Sequence, residues 1–382
     1  MEHVFIQSVK VIPGAGAIKK LGALCQECGY KKPLLVFDEG IRQAGIIAKV
    51  EASLKEANIE FIEFDKVVAD PPSHIVDEGA ELCKKENCDC VIGVGGGSPI
   101  DTAKGINILR FNEGKILDYL TTPYKKTSGL ITIPTTSGTG SELSNGAIIS
   151  DLEKDTKNLI LCVDNMSEYC ILDPELTMGM PVGPTMMTGL DTFSHAAEAY
   201  TTTAANMMTD PICETVMRKV VEFLPLAIKD GRNLEARTQM QAAAATGGWM
   251  LYNAMAHLGH SIAHVVGANY HVIHGAACSY GFPPMIKEVA NVLPQKVRKI
   301  GEILGAEFTG NETEKEIGEK TAKAYIAFRD SLGLKPIASW NINLEDPKAL
   351  AKQIASEATN AFAPFEVSEE MCQRIVNEMF SL

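Results

Sequence analysis

Basic residues are in deficit. Against 48 Asp and Glu stand only 35 Lys and Arg, a net charge of −13 over 382 residues. That balance argues against a nucleic-acid or anionic-membrane partner, which both need basic patches, while leaving room for a local phosphate pocket. Long apolar runs are also missing. No stretch of about 20 residues is apolar enough to span a bilayer; the nearest in length, 235–277, carries Glu, Arg, Gln and five His. The start, Met1-Glu2-His3-Val4, has neither the basic nor the apolar region of a signal peptide. The ten cysteines show no regular spacing and read as thiols of a reducing compartment. Low-complexity tracts, charge blocks and fixed-period repeats are absent, which disfavours a solenoid. The expectation is a soluble, acidic, cytoplasmic protein.

Aromatics reach only 6%, while the hydrophobic and charged fractions, 46% and 22%, are those of an ordinary globular chain. The length suggests two domains, or three. Glycine, at 32 residues, suits an enzyme whose turns approach ligands closely. Residues 1–180 alternate β-like runs (4–6, 34–37, 61–64, 90–94, 130–133, 147–149 and 159–163) with helical patterns at 42–58 and 74–87. Several runs are nearly all apolar, as strands buried on both faces of a parallel sheet would be, and the alternation predicts a doubly wound α/β layer. After Pro174, Pro181 and Pro184 the pattern turns helical; Ile317, Ala324, Phe328 and Leu332 line one face before Gly333. The boundary is expected near 180, giving an α/β domain at 1–180 and an all-helical domain at 181–382.

The run 90–94 leads into Gly95-Gly96-Gly97-Ser98-Pro99-Ile100-Asp101. Ser98 as N-cap, Pro99 at N1 and Asp101 at N3 would form a capping box, with a helix terminus facing a glycine turn where a pyrophosphate could sit. The bland alternative is a tight turn with no ligand. The run 130–133 feeds a second hydroxyl- and glycine-rich loop, Pro134-Thr135-Thr136-Ser137-Gly138-Thr139-Gly140-Ser141-Glu142. Asp38 ends the run 34–37 and could accept bonds from a ribose diol; it would repel a 2′-phosphate, which argues for NAD over NADP. Gly14-Ala15-Gly16 opens a helix-like segment, but Lys19 stands where a dinucleotide fingerprint needs its third glycine, so a simple turn is expected there.

Five of the eight histidines, His257, His260, His264, His271 and His274, fall within eighteen positions. They are expected on an Ala-rich helix beginning near Ala236, followed by Gly267 and a second short element. His260 and His264 share a helical face, as do Asp191 and His195 on another helix. An Asp/His pair from one helix and histidines from another suit a borderline divalent cation. Solvated or core histidines are the bland alternative. Cys25-Gln26-Glu27-Cys28 and Cys88-Asp89-Cys90 compete as metal sites, but the first lacks zinc-ribbon turns and the second enters a strand.

Together the Pro13-Gly14-Ala15-Gly16 opening, the GGGSxxD turn, the PTTxGTGSE loop, the GLDxxxHAxEAY helix and the segment of His260, His264, Gly267, His274 and Gly275 resemble the iron-containing (group III) alcohol dehydrogenases over essentially the whole chain. The resemblance implies an N-terminal α/β Rossmann-like domain that binds the dinucleotide and an all-α C-terminal domain that binds metal. This is the dehydroquinate synthase-like architecture, with the active site in the cleft between the domains. It makes Asp191, His195, His260 and His274 the ligands of Fe²⁺, with Zn²⁺ also acceptable, and puts His264 near the nicotinamide and substrate; the i,i+4 relation of His264 to His260 makes it the expected proton conduit. It assigns NAD contacts to Gly95, Gly96, Gly97, Ser98, Thr135, Thr136 and Thr139, and to Lys157 at the ribose; Asp38, at its strand end, and Asp101, in the glycine turn's helix, are expected beside them. One position departs. The family often has Asn-Pro where Asp70-Pro71 stands; Asp accepts bonds but cannot donate them, which leaves that contact open.

The reading is therefore an NAD-dependent alcohol dehydrogenase or aldehyde reductase acting on a small primary alcohol or aldehyde. Polyol, glycerol or hydroxy-acid oxidation on the same scaffold, a related lyase, a metal-dependent hydrolase and a passive binding module stand as alternatives. A homodimer is expected, with residues 4–12 as an exposed edge strand pairing across it.

Overall fold

A computed structural model describes residues 4–154 and 156–381. Six strands form one parallel sheet and two more an antiparallel pair: β1 (Lys10–Pro13), β2 (Pro33–Asp38), β3 (Ile62–Val67), β4 (Cys90–Gly95), β5 (Leu130–Pro134), β6 (Gly146–Asp151), β7 (Thr156–Leu161) and β8 (Tyr169–Leu172). The sheet order is β1-β8-β5-β4-β2-β3, with β6 and β7 apart from it. The helices of this half are α1 (Leu21–Cys28), α2 (Glu39–Gln43), α3 (Ile46–Glu56), α4 (Ser73–Lys85) and α5 (Gly97–Phe111).

Strand side chains alternate between faces, and here both faces are covered. Leu35, Phe37, Ile92 and Val94 pack with Leu21, Val50 and Leu54, while Leu34, Val36 and Val91 pack with Val76, Ile106 and Leu109. That two-sided burial explains the continuous apolar runs of β2, β4 and β5. Three expectations fail locally. Residues 4–6 are not a strand; the edge strand is β1. The runs 147–149 and 159–163 pair with each other rather than joining the parallel sheet. The helical pattern 42–58 is broken by Gly45, whose φ of 71° is left-handed, into α2 and α3.

The remaining helices are α6 (Val182–Thr201), α7 (Thr209–Lys229), α8 (Leu234–Ala254), α9 (Leu258–Tyr270), α10 (His274–Ala290), α11 (Pro294–Ile303), α12 (Glu314–Ser331), α13 (Pro347–Ala355) and α14 (Glu369–Phe380). Gly267 lies inside α9 and does not break it; the break after the Ala-rich helix comes at 255–257, where Met255 has φ +67°. On α12 the buried stripe is Ile317, Thr321, Ala322 and Tyr325, so Ala324 and Phe328 sit at its margin. Phe193 of α6, Phe282 of α10 and Tyr325 of α12 meet with ring centroids 4.2–5.6 Å apart and fix these helices together.

The chain forms two compact units. One comprises Ile6–Met180 together with Arg232–Trp249; the other comprises Pro181–Gly231 and the chain from Met250 onward. A single cut at 180 therefore misplaces the first four turns of α8, which belong with the sheet. The contact is backbone to backbone: a Cβ on Gly248 would lie 2.0 Å from the carbonyl oxygen of Gly140. Gln241 donates to the carbonyls of Pro134 and Asp173, and buried Arg237 donates to that of Met180. No helix among the described residues is long and apolar enough to cross a membrane.

Candidate functional site

In the α/β unit the chain runs outward from β2 to β3, then returns to place β4 on the other side of β2. Such a reversal opens a crevice at the carboxyl ends of the two strands, the usual ligand position in this architecture. Asp38 ends β2, and the Gly95-Gly96-Gly97 turn follows β4. The turn lies directly against the second loop. A Cβ on Gly96 would come 3.2 Å from Thr136 Cγ2, and one on Gly97 would come 3.0 Å from Thr139 Cγ2. Gly95 adds a φ of +148°, which L side chains rarely adopt. Thr135, whose N–H donates to Gly95 O at 3.0 Å, is buried, while Thr136, Thr139 and Ser98 are half-buried.

The capping box at Ser98 is not formed. Helix α5 starts at Gly97 with Gly96 as N-cap and no side-chain cap bond, so Ser98 already lies in the first turn. Asp101 has other work: its carboxylate accepts from Ser141 Oγ and from the Ile148 N–H at 3.0 Å. Burial raises its pKa, opposed by Lys104, Ser141 and the Ile148 amide. Lys104, fully buried on the same helix, donates to Ser141 Oγ, to Ser144 O and to Gly146 O at 2.6 Å. Asp101 and Lys104 thus tie the 135–146 loop to α5, and Asp101 holds that loop rather than the helix terminus. Glu142, buried in the same loop, is pushed up to about 7 by that burial.

Two other expected cofactor residues already have protein partners. Asp38 Oδ1 accepts from the Ile41 N–H at 3.1 Å as the N-cap of α2. Lys157 Nζ sits 2.6 Å from Asp70 Oδ1, and Asp70 holds a left-handed φ of 51°. The residue that departs from the family pattern is therefore the partner of the lysine expected at the ribose. The Gly14-Ala15-Gly16 segment is a turn into a short 3₁₀ helix, with the N–H groups of Gly16 and Ile18 donating to the Asp173 carboxylate at 3.1 and 3.0 Å.

In the helical unit, α6 carries Asp191 and His195, α9 carries His260 and His264, and α10 opens with His274. Asp191 Oδ1 is the hub. The Nε2 atoms of His195, His260 and His274 lie 3.5, 3.8 and 3.6 Å from it. The imidazoles of His195 and His260 stack with centroids 4.8 Å apart.

Glu198, one turn beyond His195, explains how His260 is aimed. Its Oε1 lies 2.7 Å from His260 Nδ1, and its Oε2 accepts the backbone N–H groups of His257 and His260 at the start of α9. Gly259 makes room, since a Cβ there would fall 2.4 Å from Glu198 Oε1. Burial alone would raise the Glu198 carboxyl; the charge and hydrogen bond of His260, then those of His257, bring it down to about 2. The Nδ1 side of His260 is thus engaged by Glu198, and its Nε2 faces Asp191 Oδ1 at 3.8 Å. That Nε2 is buried with no hydrogen-bond partner among the described residues. An imidazole held in this way, its outer nitrogen buried beside a carboxylate oxygen and two further imidazoles, can give that nitrogen to a cation shared with Asp191, so these residues fit a divalent ion.

The remaining histidines divide. His257 is buried, holds Thr201 Oγ1 at 2.9 Å, is pushed down to about 4 by that burial, and stands outside the cluster. His271 is an exposed, left-handed C-cap of α9. His264, half-buried, stacks on His274 at 5.6 Å and has Nδ1 3.0 Å from Glu357 Oε2. A further donor is Cys278, one turn after His274. Its Sγ lies 3.6 Å from both Asp191 Oδ1 and His274 Nε2. Asp191, His260, His274 and Cys278 offer ligand atoms all within 4.8 Å of one another. Both rejected cysteine groups are free thiols. Sequence reasoning missed Glu198, Glu357 and Cys278. The i+3 step from His195 and the i+4 step from His274 could have found the first and last; Glu357, 93 residues from His264, left no local signal.

Comparison with known proteins agrees with this geometry. Residues 8–174 match the family described as iron-containing alcohol dehydrogenase, and residues 185–380 match its C-terminal family. The chain is 33% identical to the choline dehydrogenase of Bacillus subtilis (strain 168), covering 100% of this chain and 96% of that one. It is 34% identical to the NAD-dependent methanol dehydrogenase of Bacillus methanolicus, covering 92% and 93%. A crystallised 1,3-propanediol oxidoreductase superposes with a TM-score of 0.93 at 30% identity, with both chains fully covered. The chain belongs to the iron-containing alcohol dehydrogenase family.

Proposed function

We propose that this chain is a metal-dependent dehydrogenase that interconverts small primary alcohols and aldehydes with NAD(H). Asp191, His195, His260 and His274 would hold the metal, Fe²⁺ or Zn²⁺. The dinucleotide would lie at the carboxyl ends of β2 and β4, against Asp38, Gly95, Gly96, Gly97, Ser98, Thr135, Thr136 and Thr139. Lys157 would reach the ribose only by sharing its charge with Asp70. The observation that carries the reading is the convergence of three imidazole nitrogens within 3.5–3.8 Å of one carboxylate oxygen. Membership of a family whose relatives include methanol, propanediol and alcohol dehydrogenases supports the redox reading and does not favour a hydrolase.

When bound, a divalent ion supplies Lewis acidity, the effect that takes water's pKa from 15.7 to about 7, and a nicotinamide supplies the hydride acceptor. The protein's own part is positional and protolytic. Asp191 contributes the one negative charge of the four-residue set, and Glu198 keeps the His260 lone pair aimed inward. The backbone turn at Gly95 and the start of α5 offer N–H groups to a pyrophosphate without surplus Lys or Arg. His264, backed by Glu357, takes the alcohol proton and passes it toward solvent; the partly exposed Glu357 is the outward step of that path. A homodimer through the exposed edge of β1 and a cytoplasmic location complete the proposal.

The test is an anaerobic preparation with metal analysis, followed by NADH oxidation across short-chain aldehydes. Metal-dependent turnover is expected, with Asp191→Ala losing both metal and activity. Turnover that survives complete metal removal, or equal kcat/KM with NADH and NADPH, would refute the metal or the Asp38 argument respectively.

A further inference from the structure

The donor cluster holds one more metal-ligating side chain than the Asp-His-His-His set requires. We propose that Cys278 is a fifth, thiolate donor of this centre and that it biases the site toward Zn²⁺ over Fe²⁺, an inference that rests on the cluster being a metal site. Cys278 is buried, and it follows His274 by one turn on α10, so both side chains project from the same helical face. With Zn–S near 2.3 Å and Zn–N or Zn–O near 2.0–2.2 Å, a tetrahedral ion sets its sulfur about 3.6 Å from each neighbouring N or O donor. Cys278 Sγ lies 3.6 Å from His274 Nε2 and 3.6 Å from Asp191 Oδ1. His260 Nε2, buried with no hydrogen-bond partner among the described residues, would supply the fourth corner, and all four ligand atoms fall within 4.8 Å of one another.

The competing role for this thiol is a hydrogen bond to Asp191, but S–H is a weak donor and such a bond would leave the buried His260 Nε2 without a partner among the described residues. On coordination, sulfur donates a lone pair and its proton leaves to bulk buffer; no oxidation is involved. The consequence is selectivity. A soft thiolate beside two imidazoles and a carboxylate is a zinc-type donor set, whereas Asp191 with His195, His260 and His274 offers only harder N and O atoms. One cluster therefore contains two overlapping ligand sets that share Asp191, His260 and His274.

The test uses the full chain, stripped of metal and reloaded anaerobically with Co²⁺, as wild type, Cys278→Ser and Cys278→Asn. The wild type should take up one Co²⁺ with a near-ultraviolet sulfur-to-cobalt charge-transfer band. Both variants should keep the stoichiometry and lose the band. In competition with equimolar Zn²⁺ and Fe²⁺, the variants' preference for zinc should fall by about tenfold or more. A wild type with Co²⁺ but no such band, a band that persists in the variants, or an unchanged partition would overturn the inference while leaving the metal site intact. A chain that takes up no Co²⁺ would overturn both. Far-ultraviolet circular dichroism identifies a variant that has not folded, and the differently shaped Ser and Asn side chains keep one variant readable.

Discussion

Glu198 never faces the centre of the histidine cluster, yet it sets the tautomer and aim of His260 and closes the two amides that open α9. Glu198→Gln keeps the shape but replaces one acceptor oxygen by an NH₂ group. Metal affinity should fall by about 10–100-fold, read by titration against a competing chelator, with the fold retained. His264→Ala should lower kcat by about 10²-fold or more if it carries the proton. Glu357→Gln should lower kcat by a smaller factor, with KM nearly unchanged in steady-state assays; equal activity in all three proteins would remove the proton path.

At the scale of elements, the buried Lys104 of α5 does for the 135–146 loop what a strand partner does elsewhere, by occupying acceptors that the loop cannot satisfy itself. Lys104→Met leaves those acceptors and Asp101 without their cation. It should cost on the order of 3 kcal/mol, seen as a lower Tm, and weaken NADH binding. Glu142 in the same loop gives a pH signature. Its carboxyl titrates near 4.5 when unfolded and near 7 when folded. The unfolded chain releases the proton first, so the folded state loses stability as pH rises from 4.5 to about 7. The Tm advantage of Glu142→Gln over the wild type should therefore widen between about pH 5 and about pH 8.

These elements also show what the sequence can and cannot disclose. Strands β2, β4 and β5 are legible because burial on both faces leaves unbroken apolar runs. The pairs Asp191/His195 and His260/His264 are legible because helical spacing places each on one face, whereas His274, on the next helix, is reached only through the family resemblance. The Ser98 cap was misread because Ser-x-x-Asp satisfies the local rule, while the Asp101 carboxylate is claimed by Ser141 and Ile148, forty residues and more away. Strand β8 escaped notice because it is four residues long, and Gly267 misled because a glycine within a tightly packed helix looks the same as one that ends it.

For the molecule as a whole, the charge of −13 and the proposed amide-built cofactor site are compatible, but together they would leave a kinetic trace. A negative dinucleotide approaching a negative protein is repelled at long range, so the NADH association rate should rise with ionic strength as the repulsion is screened. Stopped-flow fluorescence at two salt concentrations measures it; a rate that falls with salt would mean a local cationic funnel.

Arg232–Trp249 completes the sheet unit although in sequence it lies beyond Pro181–Gly231 of the other unit. The α/β half is thus not a transferable cassette. A gene cut after Met180 would yield a fragment whose Gly140 backbone, Pro134 carbonyl and Asp173 carbonyl have lost the helix that seals them. Grafting the α/β half onto another scaffold would therefore require carrying Arg232–Trp249 along with it, as a second, discontinuous segment.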